Sequence, residues 1–287
     1  MTPRPPILLI GMHRSGTSML TRTLQGFGLW MGRGTTRNEE CRFTNRLNYW
    51  VFGQASATWE RPEGVDALLA DDEVRPWVVD YLAGVTDGSA SARYLGMRRF
   101  LRYRSMHRIA EPWGFKDPRT TYTLPLWRAI FPDLKVLHIT RHGVDVAESL
   151  RVRRERAVAA SVQRYRRRRG RYVNNPFAPK RSGFGHSPSV GTLEGGLDLW
   201  SAYTGRARQH VAEMGNQALE LRYEDLLADP EPGLRRIVDF CGLEVGDAAL
   251  REQAARFDAS RAFAYRGDPA LGSFAETHTE DLASLGY

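Results

Sequence analysis

The sequence predicts an α/β fold: a P-loop-like, three-layer arrangement in which a mostly parallel sheet carries helices on both faces. Three observations predict it. A short unbroken apolar run, Ile7–Ile10, is followed at once by a glycine-bearing turn and a stretch with helical periodicity. The same strand–turn–helix pattern returns at Val136–Val152 and again at Ala218–Cys241. Strands that read as continuous apolar runs are buried on both faces, and strands alternating with helices imply parallel pairing.

Taken in order, Ile7–Ile10 is the first strand, and Thr17–Phe27 is the first helix because Met19, Leu20, Thr23, Leu24 and Phe27 share one face. Gly28 is its stop signal. Leu95–Ile109 has apolar residues at helical spacing with arginines between them. Val136–Thr140 reads as a strand, Arg141-His142-Gly143 as a turn and Val144–Val152 as a helix. Gly170–Gly196, rich in Gly, Pro, Ser and Asn, reads as a long loop. Leu197–Val211 is helical. Ala218–Leu221 is a strand, Arg222–Pro230 a loop, and Gly233–Cys241 a helix ended by Gly242. The chain, 1–287, is read as one domain with a basic insertion at about 154–196.

Composition narrows the function. Hydrophobic residues make up 42% and charged residues 26% of the 287, the balance of a globular protein that can bury a core without disulfides or metal. Its two cysteines, Cys41 and Cys241, lie in no CxxC or His/Cys cluster, so we expect reduced thiols and no metal site. The apolar run at the start is too short for a signal sequence, and no stretch approaches a membrane span; a cytoplasmic protein is expected. Net charge is +8, yet Arg151–Arg181 alone carries +11, which leaves −3 for the remainder. Charge this localised argues against a protein that coats nucleic acid and for a basic arm with its own task.

The chemistry concentrates in Gly11-Met12-His13-Arg14-Ser15-Gly16-Thr17-Ser18, between the first strand and the first helix. Both glycines and the final hydroxyl of a G-x-x-x-x-G-K-[ST] loop are present, but Thr17 stands where the Lys belongs. Backbone N–H groups at the helix start still cradle an anion. The Lys that reaches the outer phosphates of a nucleoside triphosphate is missing. Such a loop suits a 5′-phosphate or phosphosulfate, with charge from Arg14 and hydroxyls from Ser15, Thr17 and Ser18.

On these residues the chain resembles the sulfotransferases that use 3′-phosphoadenosine 5′-phosphosulfate (PAPS). Gly11–Ser18 is similar to that family's 5′-phosphosulfate loop. Arg141-His142-Gly143-Val144-Asp145-Val146-Ala147-Glu148-Ser149-Leu150 is similar to its 3′-phosphate motif. The resemblance assigns Arg141 and Ser149 to the 3′-phosphate, and Arg153 to a further phosphate contact found in tyrosylprotein sulfotransferases. Three more segments resemble family elements: Trp113–Arg119, Leu221–Leu226, and Asn38–Leu47 with Phe43 and Asn48 on the acceptor side. The resemblance runs from about Ile7 to Gly242, excepting Arg154–Gly196.

It implies an activity: transfer of a sulfuryl group from PAPS to a hydroxyl of a small-molecule or glycan acceptor, with release of 3′,5′-ADP and without a metal. Charge developing on the leaving oxygen calls for a cation. The candidates are Lys116, which the resemblance marks as catalytic, and Arg14. The acceptor hydroxyl calls for a general base. Glu40 is chosen; Glu39, Asp117 and a histidine stay open. Tyr223 is assigned to the donor's adenine or 3′-phosphate, and Tyr265-Arg266-Gly267-Asp268 is a candidate cover for the donor. Arg151–Arg181 is read as an arm for an anionic acceptor or a membrane surface, with a solvated Arg-rich helix as the plain alternative. Specific nucleic-acid binding is not expected. The competing functions are a P-loop kinase of a small molecule, which the missing Lys disfavours, and a non-enzymatic binder of anionic polymers.

Overall fold

A computed structural model of the chain describes residues 2–180 and 183–287. Four strands, β1 (Ile7–Ile10), β2 (Gly114–Lys116), β3 (Lys135–Thr140) and β4 (Ala218–Arg222), form one parallel sheet in the order β2–β1–β3–β4. The helices, in chain order, are α1 (Thr17–Gly26), α2 (Arg42–Gln54), α3 (Gly64–Ala70), α4 (Val74–Asp87), α5 (Ala92–Tyr103) and α6 (Thr120–Ile130). They continue with α7 (Gly143–Asn174), α8 (Leu193–Met214), α9 (Tyr223–Ala228), α10 (Pro230–Cys241), α11 (Asp247–Ala254), α12 (Pro269–Thr277) and α13 (Thr279–Ser284). The chain divides into two compact units, Met1–Arg141 with Tyr203–Ala264, and His142–Ala202 with Tyr265–Tyr287.

The first unit holds the sheet. All four residues of β1 are buried, and they alternate between two cores. Leu8 and Ile10 pack with Phe115, Val136 and the apolar faces of α2 to α6. Ile7 and Leu9 pack with Leu137, Ile139 and Leu221 under α1, α9, α10 and α11. This is the expected sheet with helices on both faces. β2 can approach β1 because Gly114 has no side chain: a Cβ there would sit 1.8 Å from the Ile7 carbonyl oxygen.

Register fixes the site. Leu9 pairs with Lys116, Ile10 with His138, and Thr140 with Arg222. The chain therefore leaves the strands at one edge of the sheet through Gly11, Asp117, Arg141 and Tyr223. In open parallel sheets, ligands bind outside this carboxyl edge.

The second unit is built on α7. His142 caps it, its Nδ1 accepting from the Val144 N–H at 3.3 Å, and stacks on Tyr265 at 4.3 Å. Asp145 accepts from the Tyr265 N–H at 2.8 Å. Residues beyond α7 fold back along it: Ser161 Oγ donates to the Gly183 carbonyl, Arg154 Nε to the His186 carbonyl, and Phe184 packs on Tyr165.

The structure corrects three sequence expectations. The helix expected over Val144–Val152 continues to Asn174. Its sequence has no Pro, no Gly between Gly143 and Gly170, and many arginines, which are good helix formers. Arg151 also bridges Glu148 and Glu155 at helical spacing. The loop expected over Gly170–Gly196 is correspondingly shorter, because α8 begins at Leu193. Arg222–Pro230 is not a loop: Tyr223–Ala228 is α9, with Glu224 and Asp225 favourably placed in its first turn. Arg181, the last residue of the basic segment, lies outside the described residues. Among the described residues no helix is long and apolar enough to cross a membrane. Cys41 and Cys241 are buried free thiols, as expected.

One contact gives a stability prediction. Burial pushes the Glu220 carboxyl up, but hydrogen bonds from His138 and Arg208 outweigh it and hold the group down at about 2. A depressed folded-state value contributes stability that is present above the ordinary glutamate range and lost as pH falls toward 2. Urea unfolding is expected to show wild type more stable than Glu220→Gln at pH 6, with the gap shrinking between about pH 4.5 and 2. A gap independent of pH would refute the assignment.

Candidate active site

The donor loop begins where β1 ends. Gly11 N donates to Thr121 Oγ1 at 3.1 Å, which ties the loop to the first turn of α6. The loop then turns through two residues in the left-handed region, Arg14 (φ 74°) and Gly16 (φ 95°). Gly16 caps α1, and no side chain caps the N–H groups there. Ser15 Oγ is buried and has no hydrogen-bond partner among the described residues, and the same holds for Thr140 Oγ1 at the end of β3. The buried, unpaired Ser15 hydroxyl beside the N-terminus of α1 fits an anionic ligand. Arg14 is exposed and Thr17 buried.

Tyr223 sits against this loop, and Arg141 against Tyr223. A Cβ on Gly16 would lie 2.5 Å from Tyr223 Cδ2. The Arg141 guanidinium stands over the Tyr223 ring, 4.8 Å from its centroid, and its Nη2 donates to the Arg261 carbonyl. The structure thus brings Gly16, Tyr223 and Arg141 together. Ser149 and Arg153 are half-buried, one helical turn apart on α7 in the second unit. Gly16→Ala combines this clash with backbone strain of about 1–3 kcal/mol. Thermal unfolding should show a clear loss of stability, and an unchanged melting temperature would contradict the packing.

The second cluster surrounds Lys116 at the end of β2. Lys116 is 2% exposed. Its Nζ donates to the Asn38 carbonyl at 2.8 Å and faces Glu40 Oε1 at 3.4 Å. The Asn38 carbonyl also accepts from Ser18 Oγ at 2.8 Å, so one backbone oxygen joins the donor loop to Lys116. Glu40 is buried, and Asn45 Nδ2 holds its other oxygen at 3.0 Å. Burial pushes the Glu40 carboxyl above its ordinary range despite the Lys116 charge. Burial likewise pushes the Lys116 ammonium below its ordinary value despite Glu40. Desolvation therefore brings a buried acid and base toward each other in proton affinity, as suits acid–base work.

Asp117, the alternative base, has a different environment. Its Oδ1 accepts from Arg119 N and Nε, and its Oδ2 accepts from Asn48 Nδ2. Asn48 Oδ1 in turn accepts from Thr123 Oγ1 and Trp127 Nε1. With both oxygens engaged, Asp117 positions Arg119, whose guanidinium covers Tyr49 at 3.6 Å. His138 pairs with Glu220 and His142 caps α7, so both serve structure. Glu39 lies near Arg22 at 3.5 Å.

Sequence reasoning named Lys116 and Glu40 separately and missed the Asn38 carbonyl and Asn45 that join and hold them. The available signal was a pair of asparagines, Asn45 and Asn48, on the buried face of α2.

Comparison with known proteins agrees with the sequence resemblance. Human carbohydrate sulfotransferase 2 is 33% identical over 132 residues, 42% of this chain and 25% of that protein. The chain thus spans about a quarter of that relative's length. A sulfotransferase from Alicyclobacillus acidocaldarius is 15% identical with a TM-score of 0.48, covering 99% of this chain and 95% of that one. The sulfotransferase domain from the curacin biosynthetic pathway is 15% identical with a TM-score of 0.46, covering 91% and 81%. The model of the sulfotransferase family matches residues 5–247, and the chain belongs to that family.

Proposed function

We propose that this protein transfers a sulfuryl group from PAPS to a hydroxyl of a small-molecule or glycan acceptor and releases 3′,5′-ADP. The observation that carries the reading is the buried Lys116–Glu40 pair, joined through the Asn38 carbonyl to Ser18 of the donor loop. Ser15 Oγ and the uncapped N–H groups of α1 suit the donor's 5′-phosphosulfate. By motif, Arg141, Ser149 and Arg153 are assigned to its 3′-phosphate, and Tyr223 to its adenine or 3′-phosphate.

Bound there, the donor supplies the sulfuryl group and a phosphate leaving group. Glu40 takes the proton of the acceptor hydroxyl, and Asn45 keeps its carboxylate oriented. Lys116 supplies the positive charge that neutralises the departing oxygen, in a site where burial strengthens electrostatics. Arg14 adds charge from the loop. The name of the human relative supports a carbohydrate acceptor. The basic segment from Arg151 is assigned to contact with an anionic acceptor or a membrane surface.

An acceptor screen with radiolabelled PAPS tests the reading. Label should pass to at least one hydroxyl-bearing glycan or small molecule in wild type. Transfer of phosphate from ATP, with none of sulfate from PAPS, would overturn it.

A further inference from the structure

A second concavity lies on the flank of α2, in the first unit. It has a volume of about 550 Å³, within the span of ligand sites of roughly 300–1,000 Å³. Four of its lining residues are arginines: Arg33, Arg42, Arg46 and Arg93. No carboxylate lines it, and none of the four makes an ion pair among the described residues. All four are exposed, so water screens their mutual repulsion, and an anion placed among them is attracted by all four charges at once. Guanidinium groups are matched in shape to carboxylate and sulfate oxygens.

The pocket also has an aromatic side. Trp50 and Tyr81 both line it, with ring centroids 4.1 Å apart and planes tilted by 31°, and Leu47 lines it too. Partly exposed aromatic side chains beside cations suit a ring that has one apolar face and carries negative substituents. A pyranose bearing a carboxylate or a sulfate ester has that form.

Its place on α2 links it to the chemistry. Arg42, Arg46 and Trp50 recur every fourth residue and form one stripe of the helix. Asn45, on the adjoining stripe, holds the Glu40 carboxylate, and Glu40 lies two residues before Arg42. One helix thus positions the proposed base and presents two of the four arginines, Arg42 and Arg46.

We propose that this pocket binds an anionic sugar ring of the acceptor and gives the enzyme its preference for acidic carbohydrates. The proposal rests on the sulfotransferase reading for the word acceptor. The pocket's ligand chemistry stands on its own residues.

The test uses the full chain, with 3′,5′-ADP saturating the donor site. The probe is a heparin-derived disaccharide of a uronate and a sulfated glucosamine, titrated by calorimetry. Wild type should bind it and should not bind maltose. Arg42→Gln with Arg46→Gln should weaken binding roughly tenfold or more, the scale of losing charge-assisted hydrogen bonds. Trp50→Ala should weaken it as well. The double variant should keep wild-type affinity for 3′,5′-ADP, which shows that it is folded.

Three results would overturn the proposal: no binding by wild type, wild-type affinity in the double variant, or maltose binding as tightly. An aromatic anion such as benzoate binding more tightly than the disaccharide would refute the sugar assignment. Failure of 3′,5′-ADP to bind wild type at all would sink the donor reading alone, and the disaccharide titration without nucleotide would still report on the pocket.

Discussion

Lys116→Met is expected to lower sulfuryl transfer by roughly 10²–10³-fold, the scale of removing one preorganised electrostatic contact. Affinity for 3′,5′-ADP should stay near that of wild type. The reason is where Lys116 sits. It ends β2 at the carboxyl edge of the sheet, is buried, and shares the Asn38 carbonyl with Ser18 of the donor loop. Methionine keeps the stem's bulk and removes the charge. The change leaves Glu40 buried without its cation, a loss that destabilises by roughly 3–5 kcal/mol when a buried pair is broken on one side. The double variant Lys116→Met with Glu40→Gln removes the stranded charge. It should therefore regain much of the lost stability and none of the turnover. Recovery of turnover along with stability would show that neither Lys116 nor Glu40 acts in the chemistry and that the pair only holds the fold. Steady-state rates and urea unfolding on the three proteins settle the matter.

Glu40→Gln is expected to lower turnover by roughly 10²–10⁴-fold, the range for loss of a general base. It should also remove the acid limb of kcat/KM against pH. Burial raises the carboxyl above the ordinary glutamate range, so the wild-type limb should lie above that range too. The direction is fixed by protonation: below its pKa Glu40 carries the proton it is meant to accept, so rate falls as pH falls. Asn45→Ala frees Glu40 Oε2 and should move the limb without abolishing activity. A Glu40→Gln enzyme that keeps both the rate and the limb would assign the base elsewhere. Asp117 is then disfavoured by its own contacts, since Arg119 and Asn48 occupy both oxygens.

How far the sequence reveals this site depends on distance along the chain. The β1–loop–α1 unit is legible to within one residue, the helix ending at Gly26 and not Phe27, because its signals are local: an apolar run, glycines that need a left-handed turn, and helical periodicity at once after it. β3 and β4 are legible for the same reason. β2 is not, because Gly114-Phe115-Lys116 is too short to show a period and one residue of it is glycine. α7 is underestimated because its distal half has no apolar stripe; helix propensity and Arg151's ion pairs extend it instead. α9 is hidden because six residues between a strand and a proline read as a turn.

Within the site, residue types are legible and partnerships are not. Lys116 and Glu40 are each found from a motif, yet their pairing depends on β2 lying beside β1, a contact across 76 residues. Asn48 joins Asp117, Thr120, Thr123 and Trp127 through contacts of 69 to 79 residues, and no local pattern announces it. The arginines of the second pocket come from three separate segments and look in sequence like ordinary solvated charge.

Whether Gly11–Ser18 serves a donor carrying both a 5′- and a 3′-phosphate is tested most directly by calorimetry. The protein is titrated with 3′,5′-ADP and with ADP, and the pair of titrations is repeated on Arg141→Ala. Wild type should bind 3′,5′-ADP at least tenfold more tightly than ADP, the scale of one charge-assisted phosphate contact, with that advantage lost in Arg141→Ala. Equal affinity of wild type for the two nucleotides would contradict a two-phosphate donor site.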